Sequence, residues 1–177
     1  MATTRNCIGL SNMPNYFQCI NQQYNNSQGD STELFNEILR ASNEIGMDKA
    51  LAYLEQCVIE KRLAWLEANN GRVLEDDPIM GGYGWFYEKY LGISVPKAGE
   101  IVERTEKRMV MRWWNPCPTL QVCNKLGLDT REICKKAYHK PVDIFLKHLN
   151  PKLRFDKNYE NIRPYSTYCG EIIELVN

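Results

Sequence analysis

A chain of 177 residues that is 44% hydrophobic and 11% aromatic can build a substantial core, which excludes a disordered protein. Its 22 basic and 22 acidic residues cancel, so no overall field draws it to nucleic acid or an anionic membrane, and no local patch is large enough to replace that field. Seven scattered cysteines do not form the dense framework of a small secreted domain. With no apolar segment after Arg5 and no run long enough to cross a bilayer, the expectation is a soluble cytoplasmic protein with reduced thiols.

Asn, Gln, Ser and Gly crowd residues 21 to 32 without an apolar period, so residues 1–30 read as an extension or loop and 31–177 as one domain. Ser31 or Thr32 can cap a first helix, in which Leu34, Phe35, Ile38 and Leu39 form a buried stripe. A second helix runs from about Asp48 to Ala68. Ala50, Leu51, Leu54, Cys57, Val58 and Leu66 line one side of it, Glu55, Glu60, Lys61 and Arg62 supply the solvated side, and Asn69-Asn70-Gly71 ends it. Between Glu75 and Gly92 the pattern turns irregular. Gly81-Gly82 and the aromatics Tyr83, Trp85, Phe86, Tyr87 and Tyr90 read either as a loop closing over a pocket or as a glycine turn followed by an aromatic core helix.

From Glu103 to Trp113 the period changes to two, with Met109, Met111 and Trp113 on one face and Arg108 and Arg112 on the other, as in a half-buried strand. Pro118 suits a first helical position and leaves Cys117 at the N-cap, where the helix dipole and free N–H groups favour a thiolate. The alternative at Cys117 is a buried apolar cysteine beside two core tryptophans. Residues Thr119 to Leu126, stopped by Gly127, and Thr130 to His139 read as helices. Pro141 is expected to break or kink the chain, with Val142 to Leu149 resuming as a separate turn or helix. Leu153-Arg154-Phe155 and Cys169 to Leu175 read as extended. The order of elements predicts an α+β fold with a helical N-terminal half and a small antiparallel sheet covered by helices.

The common zinc spacings, glycine-rich phosphate loops and the Gly-x-Ser-x-Gly elbow are missing from the sequence, so neither a metal nor another cofactor is called for. Cys117, Cys123, Cys134 and Cys169 would form a zinc site only by meeting in space. A thiol mechanism needs a base and a group to orient that base. His139 and Asp143, four residues apart, are the candidates for these two roles; His148 reads as an exposed helix end.

The run Trp114-Asn115-Pro116-Cys117-Pro118, then Cys123, Leu126-Gly127-Leu128, Cys134, Asn150-Pro151-Lys152-Leu153-Arg154-Phe155 and Cys169 resembles the L-2-amino-thiazoline-4-carboxylic acid hydrolase-like family over about the last 70 residues. The resemblance extends to a wider group of 4-vinyl-reductase-like small-molecule-binding domains. It implies a cytoplasmic α+β protein that opens a cyclic 2-amino-thiazoline carboxylate by adding water. This chain departs from the family pattern after its last cysteine, where Gly170-Glu171-Ile172 replaces an acidic residue followed by an aromatic, and before it, at Tyr165-Ser166-Thr167-Tyr168.

Three functions are expected from these features. The first is a hydrolase acting on a C–N or C–S bond of a compact, heterocyclic metabolite. Cys117 would be its nucleophile, Arg112 or Arg154 would hold a substrate carboxylate, and Trp85, Trp113 and Trp114 would be its apolar walls. The second is a non-catalytic module using the same pocket. The third is an interaction protein exposing its Tyr83 to Tyr90 aromatics. The expected partner is a small-molecule substrate, with no nucleic acid and no membrane; a homo-oligomer is compatible with the composition.

Overall fold

The computed structural model describes residues 31–72 and 76–176. The expected extension, residues 1–30, lies outside the described residues. Helix α1, Ser31–Ile45, buries Leu34, Ile38 and Ala41, while Leu39 falls outside the buried stripe and is exposed. Gly46, at φ 83°, turns the chain into α2, Met47–Ala68. Glycine meets no steric penalty at such an angle. The two helices share a core with Val122, Cys123, Ile133 and Ala137 from later in the chain.

Asp77 caps α3, Pro78–Tyr83, by accepting a hydrogen bond from the Met80 amide at 3.0 Å, and Pro78 fills the first turn. The helix continues as a π-helical segment, Gly84–Leu91, and stops at left-handed Gly92. The glycine pair therefore lies in a helix rather than a loop. A Cβ at Gly82 would sit 3.1 Å from Leu153 and 3.2 Å from Leu146, so the small residue lets α3 press onto the elements beneath it. Tyr83, Phe86, Tyr87 and Tyr90 are buried in the main core, which overturns the expectation of an exposed aromatic surface.

The expected strand from Glu103 to Trp113 is a hairpin. Strands β1, Gly99–Arg104, and β2, Arg108–Trp113, flank a turn in which the Thr105 amide donates to the Arg108 carbonyl at 2.8 Å. Helix α4, Pro118–Leu126, ends at left-handed Gly127. Helix α5, Thr130–Ile133, then runs without interruption through a π-helical turn, Cys134–His139, into α6, Lys140–Leu149. Pro141 does not break it. The wider turn just before Pro141 carries the change in hydrogen-bond register at the point where proline offers no N–H.

Strands β3, Leu153–Asn158, and β4, Cys169–Leu175, complete a four-stranded antiparallel sheet of order β1-β2-β4-β3 among the described residues. The architecture is α+β. One face of the sheet packs Met109, Met111, Trp113, Leu153, Phe155 and Ile173 against Phe86, Tyr87, Phe145 and Leu146. The other face is laced by half-exposed ion pairs, Arg108 with Glu103 and Glu174 and Arg112 with Glu100, each of which contributes little on its own. No helix among the described residues is long and apolar enough to cross a membrane.

Gly99 faces Trp113 across the hairpin, and a Cβ there would lie 2.6 Å from the Trp113 ring and clash with the Arg112 carbonyl. Gly99→Ala should therefore destabilise the fold by about 1–3 kcal/mol, read as a lower urea midpoint. An unchanged midpoint would show that the hairpin yields without cost.

Candidate functional site

The alternation that buries Leu153 and Phe155 on β3 and Ile173 on β4 also turns Lys157, Cys169 and Glu171 inward, and strand pairing sets Lys157 opposite Glu171 and Cys169 opposite Trp113. An apolar sheet face thus becomes polar at one end. There it meets the two π-helical segments, α2, and the chain leading into α4, and together these enclose a cavity of ≈ 170 Å³.

Its polar wall is a hydrogen-bonded chain. Lys157 Nζ donates to Glu171 Oε1 at 2.5 Å, and Tyr87 Oη donates to Glu171 Oε2 at 2.8 Å. The Lys157 and Glu171 side chains are only 11% and 15% exposed, so each charge depends on the other for the solvation it has lost. Burial alone would lower the Lys157 pKa, but the Glu171 carboxylate outweighs it and the ammonium is held well above its ordinary range. Burial first, and the same carboxylate second, push the Tyr87 phenol well up. Trp113 stacks on Tyr87 at 4.6 Å between ring centroids and closes that side.

Cys117 is the N-cap of α4 and lines the cavity, with Pro118 in the first turn, as the sequence predicts. Of the two readings of Cys117, its surroundings favour the buried cysteine over the thiolate. Burial raises the Cys117 pKa, and although the Leu120 amide, Lys157 and Arg163 pull the other way, burial prevails. Cys134 and Cys169 line the same cavity. Burial drives Cys134 up to about 12 despite Lys157, and Cys123, just outside the lining, up to about 11. Among the described residues no group of three or more His, Cys, Asp or Glu side chains is placed to hold a metal.

The other sequence candidates separate. His139 lines the cavity, and its Nδ1 lies 2.8 Å from Tyr159 Oη, with the ring edge-on to Phe155. Asp143 serves a different bond: it accepts from the Phe155 amide at 3.0 Å and pairs with Lys147, tying α6 to β3 rather than orienting His139. Trp113 is in the wall; Trp85, Trp114, Arg112 and Arg154 are not. The Trp85 indole donates to the Arg72 carbonyl, and Trp114 is 44% exposed. Arg112 pairs with Glu100 and lies over Tyr168, and Arg154 donates to the Pro151 and Leu153 carbonyls. The strand positions of these two arginines face away from the cavity.

Residues that sequence reasoning misses carry much of the site. Lys157 and Glu171 sit at inward positions of strands, a parity visible once the strands are aligned. Arg62, expected on the solvated side of α2, is 7% exposed and lines the cavity. The signal is its spacing: it lies four residues after Val58 and four before Leu66, squarely on the apolar stripe. Its guanidinium carbon is 5.1 Å from the Phe86 ring centroid and 5.8 Å from that of Tyr90. No protein-family model matches the chain, and no curated protein matches its sequence.

The buried charges and thiols generate two expected outcomes. Glu171→Gln strands an ammonium in the wall and should cost about 3 kcal/mol or more, whereas Lys157→Met combined with Glu171→Leu should recover most of the loss in urea unfolding. Equal losses in the two proteins would mean that the pair is not interdependent. Cys117, Cys123, Cys134, Tyr87 and Lys157 all hold their protons more tightly when folded. Above the ordinary thiol value of 9.0 the unfolded chain therefore releases protons first, and stability declines as pH rises. Urea midpoints at pH 7 and at about pH 10 check this; a flat profile would contradict the burial of the thiols.

Proposed function

We propose that this chain binds a compact metabolite in the cavity behind Trp113, as a small-molecule-binding module of the 4-vinyl-reductase-like kind that its C-terminal half resembles. One observation carries the reading: a cavity of ≈ 170 Å³ joins aromatic walls to a buried, internally satisfied Lys157–Glu171–Tyr87 chain. Space of roughly 150 Å³ in an apolar interior takes a benzene-sized molecule, so the occupant is about one ring in size. Aromatic walls with a few convergent polar groups are how proteins hold such ligands.

The second reading is hydrolysis of a C–N or C–S bond in a thiazoline carboxylate-like ring. What favours it is the place of Cys117, at a helix N-terminus in the cavity wall with Lys157 and Arg163 opposing its burial. A covalent route requires the thiol to pass its proton to a base before sulfur attacks the ring carbon. His139 and Glu171 share the wall, but each is engaged, with Tyr159 in one case and with Tyr87 and Lys157 in the other. The protonated thiol is why binding is placed first. Glu171, within the run that departs from the family pattern, and the adjoining Cys169 also line the cavity, and this supports a ligand different from the name-giving one.

Titrating 2-amino-thiazoline carboxylate and related cyclic amidines and thioethers against the wild type and Cys117→Ala separates the readings. The binding reading expects ligands that raise the melting temperature of both proteins without product forming. Turnover by the wild type that vanishes in Cys117→Ala, with binding retained, would establish the hydrolase instead. Failure of the whole panel to bind the wild type would count against both.

A further inference from the structure

We infer that Arg62 is the anion anchor of the cavity and that the ligand is a ring-sized monocarboxylate. The inference rests on the cavity being a ligand site and specifies what it accepts. Arg62 Nε and Nη1 are fully buried and have no hydrogen-bond partner among the described residues, nor does any described carboxylate form an ion pair with this side chain. A guanidinium cannot discard its charge at physiological pH, so burial without a partner is costly unless something else supplies the counter-charge. The rings of Phe86 and Tyr90 offset part of that cost through their faces, but they offer no acceptor to the N–H groups.

Burial and pairing single out the cation that a ligand would meet. Lys157 is neutralised by Glu171. Lys61 and Arg163, also in the wall, are only partly buried, although Arg163 Nε is itself buried without a hydrogen-bond partner. Among the described residues that leaves Arg62, 7% exposed, as the most deeply buried cation of the wall without an ion pair, a charge that a single carboxylate would match. The paired N–H groups of arginine fit the two oxygens of a carboxylate. The ≈ 170 Å³ as a whole limits such an acid to about one ring, with Phe86, Tyr90 and Trp113 as its apolar surroundings.

The test compares ring acids with their neutral amides: benzoate with benzamide, and furan-2-carboxylate with furan-2-carboxamide, titrated by calorimetry into the full chain. The wild type should bind each acid at least about tenfold more tightly than its amide, the span expected of a charged hydrogen bond. In Arg62→Met that preference should vanish, with amide affinity changed less than about twofold and with unligated stability equal to or above the wild type, because an unpaired buried charge has been removed. Arg62→Lys, which keeps the charge but not the fork, should fall between the two. Acid binding that survives in Arg62→Met overturns the anchor, as does equal binding of acid and amide by the wild type; in both cases the cavity remains a ligand site. Loss of folding in both Arg62→Met and Arg62→Gln overturns it too, by making Arg62 structural. If neither acid nor amide binds the wild type, the cavity reading fails and the anchor fails with it.

Discussion

Placing an ion pair on the apolar face of a small sheet constrains almost everything around it. Lys157 and Glu171 come from neighbouring strands in register, and the carboxylate's second oxygen is taken by Tyr87 from the helical layer. Each partner removed would leave a buried charge uncompensated, so the register of β3 on β4 and the seating of the helix bearing Tyr87 are specified together. A one-residue slip of β3 would carry Lys157 to the outer face and bury Asp156 in its place. The pair thus acts as a registry device at the end of a sheet otherwise sealed by Met109, Met111, Phe155 and Ile173.

The helical layer reaches this polar end by departing from α-geometry twice. The π-helical segments Gly84–Leu91 and Cys134–His139 both contribute to the cavity wall, the first through Phe86, Tyr87 and Tyr90 and the second through Cys134 and His139. A π turn widens the helix and re-aims the side chains on it, and such turns recur at functional sites despite poorer backbone geometry. Here the second also resolves a sequence conflict by accommodating Pro141 within a continuous helix.

The outline of the fold was legible because period carries it. The shift from three-four spacing to alternation, the stop at Gly127, and the capping geometry at Cys117 and Pro118 are local signals, and local forces decide them. The hairpin turn at residues 105–107 was not legible, since Thr105-Glu106-Lys107 lacks glycine, proline or asparagine and continues the polar alternation. The candidate site was half legible. Cys117, His139 and Trp113 stand out by chemical type and lie in the wall, whereas Arg112 and Arg154 stand out by charge alone and belong to the outward parity of their strands. Arg62 escapes notice because a charged residue beside Lys61 reads as solvated, although its spacing places it among Leu54, Val58 and Leu66.

That contrast also bears on how the cavity works. A strongly nucleophilic thiol needs an electropositive surrounding that burial does not cancel, and here the Lys157 ammonium is already committed to Glu171. Positive charge shared with an internal carboxylate stabilises a thiolate only weakly, and at Cys117 the pull of Lys157 does not overcome burial, whereas Arg62 Nε and Nη1 have no hydrogen-bond partner among the described residues. Lys157 and Arg62 therefore differ by their partners rather than by their type: Lys157 holds the wall together through Glu171, and Arg62 lies against the rings of Phe86 and Tyr90. Cys117, Cys134 and Cys169 add small, polarisable side chains to the lining of the cavity, which suits an apolar wall.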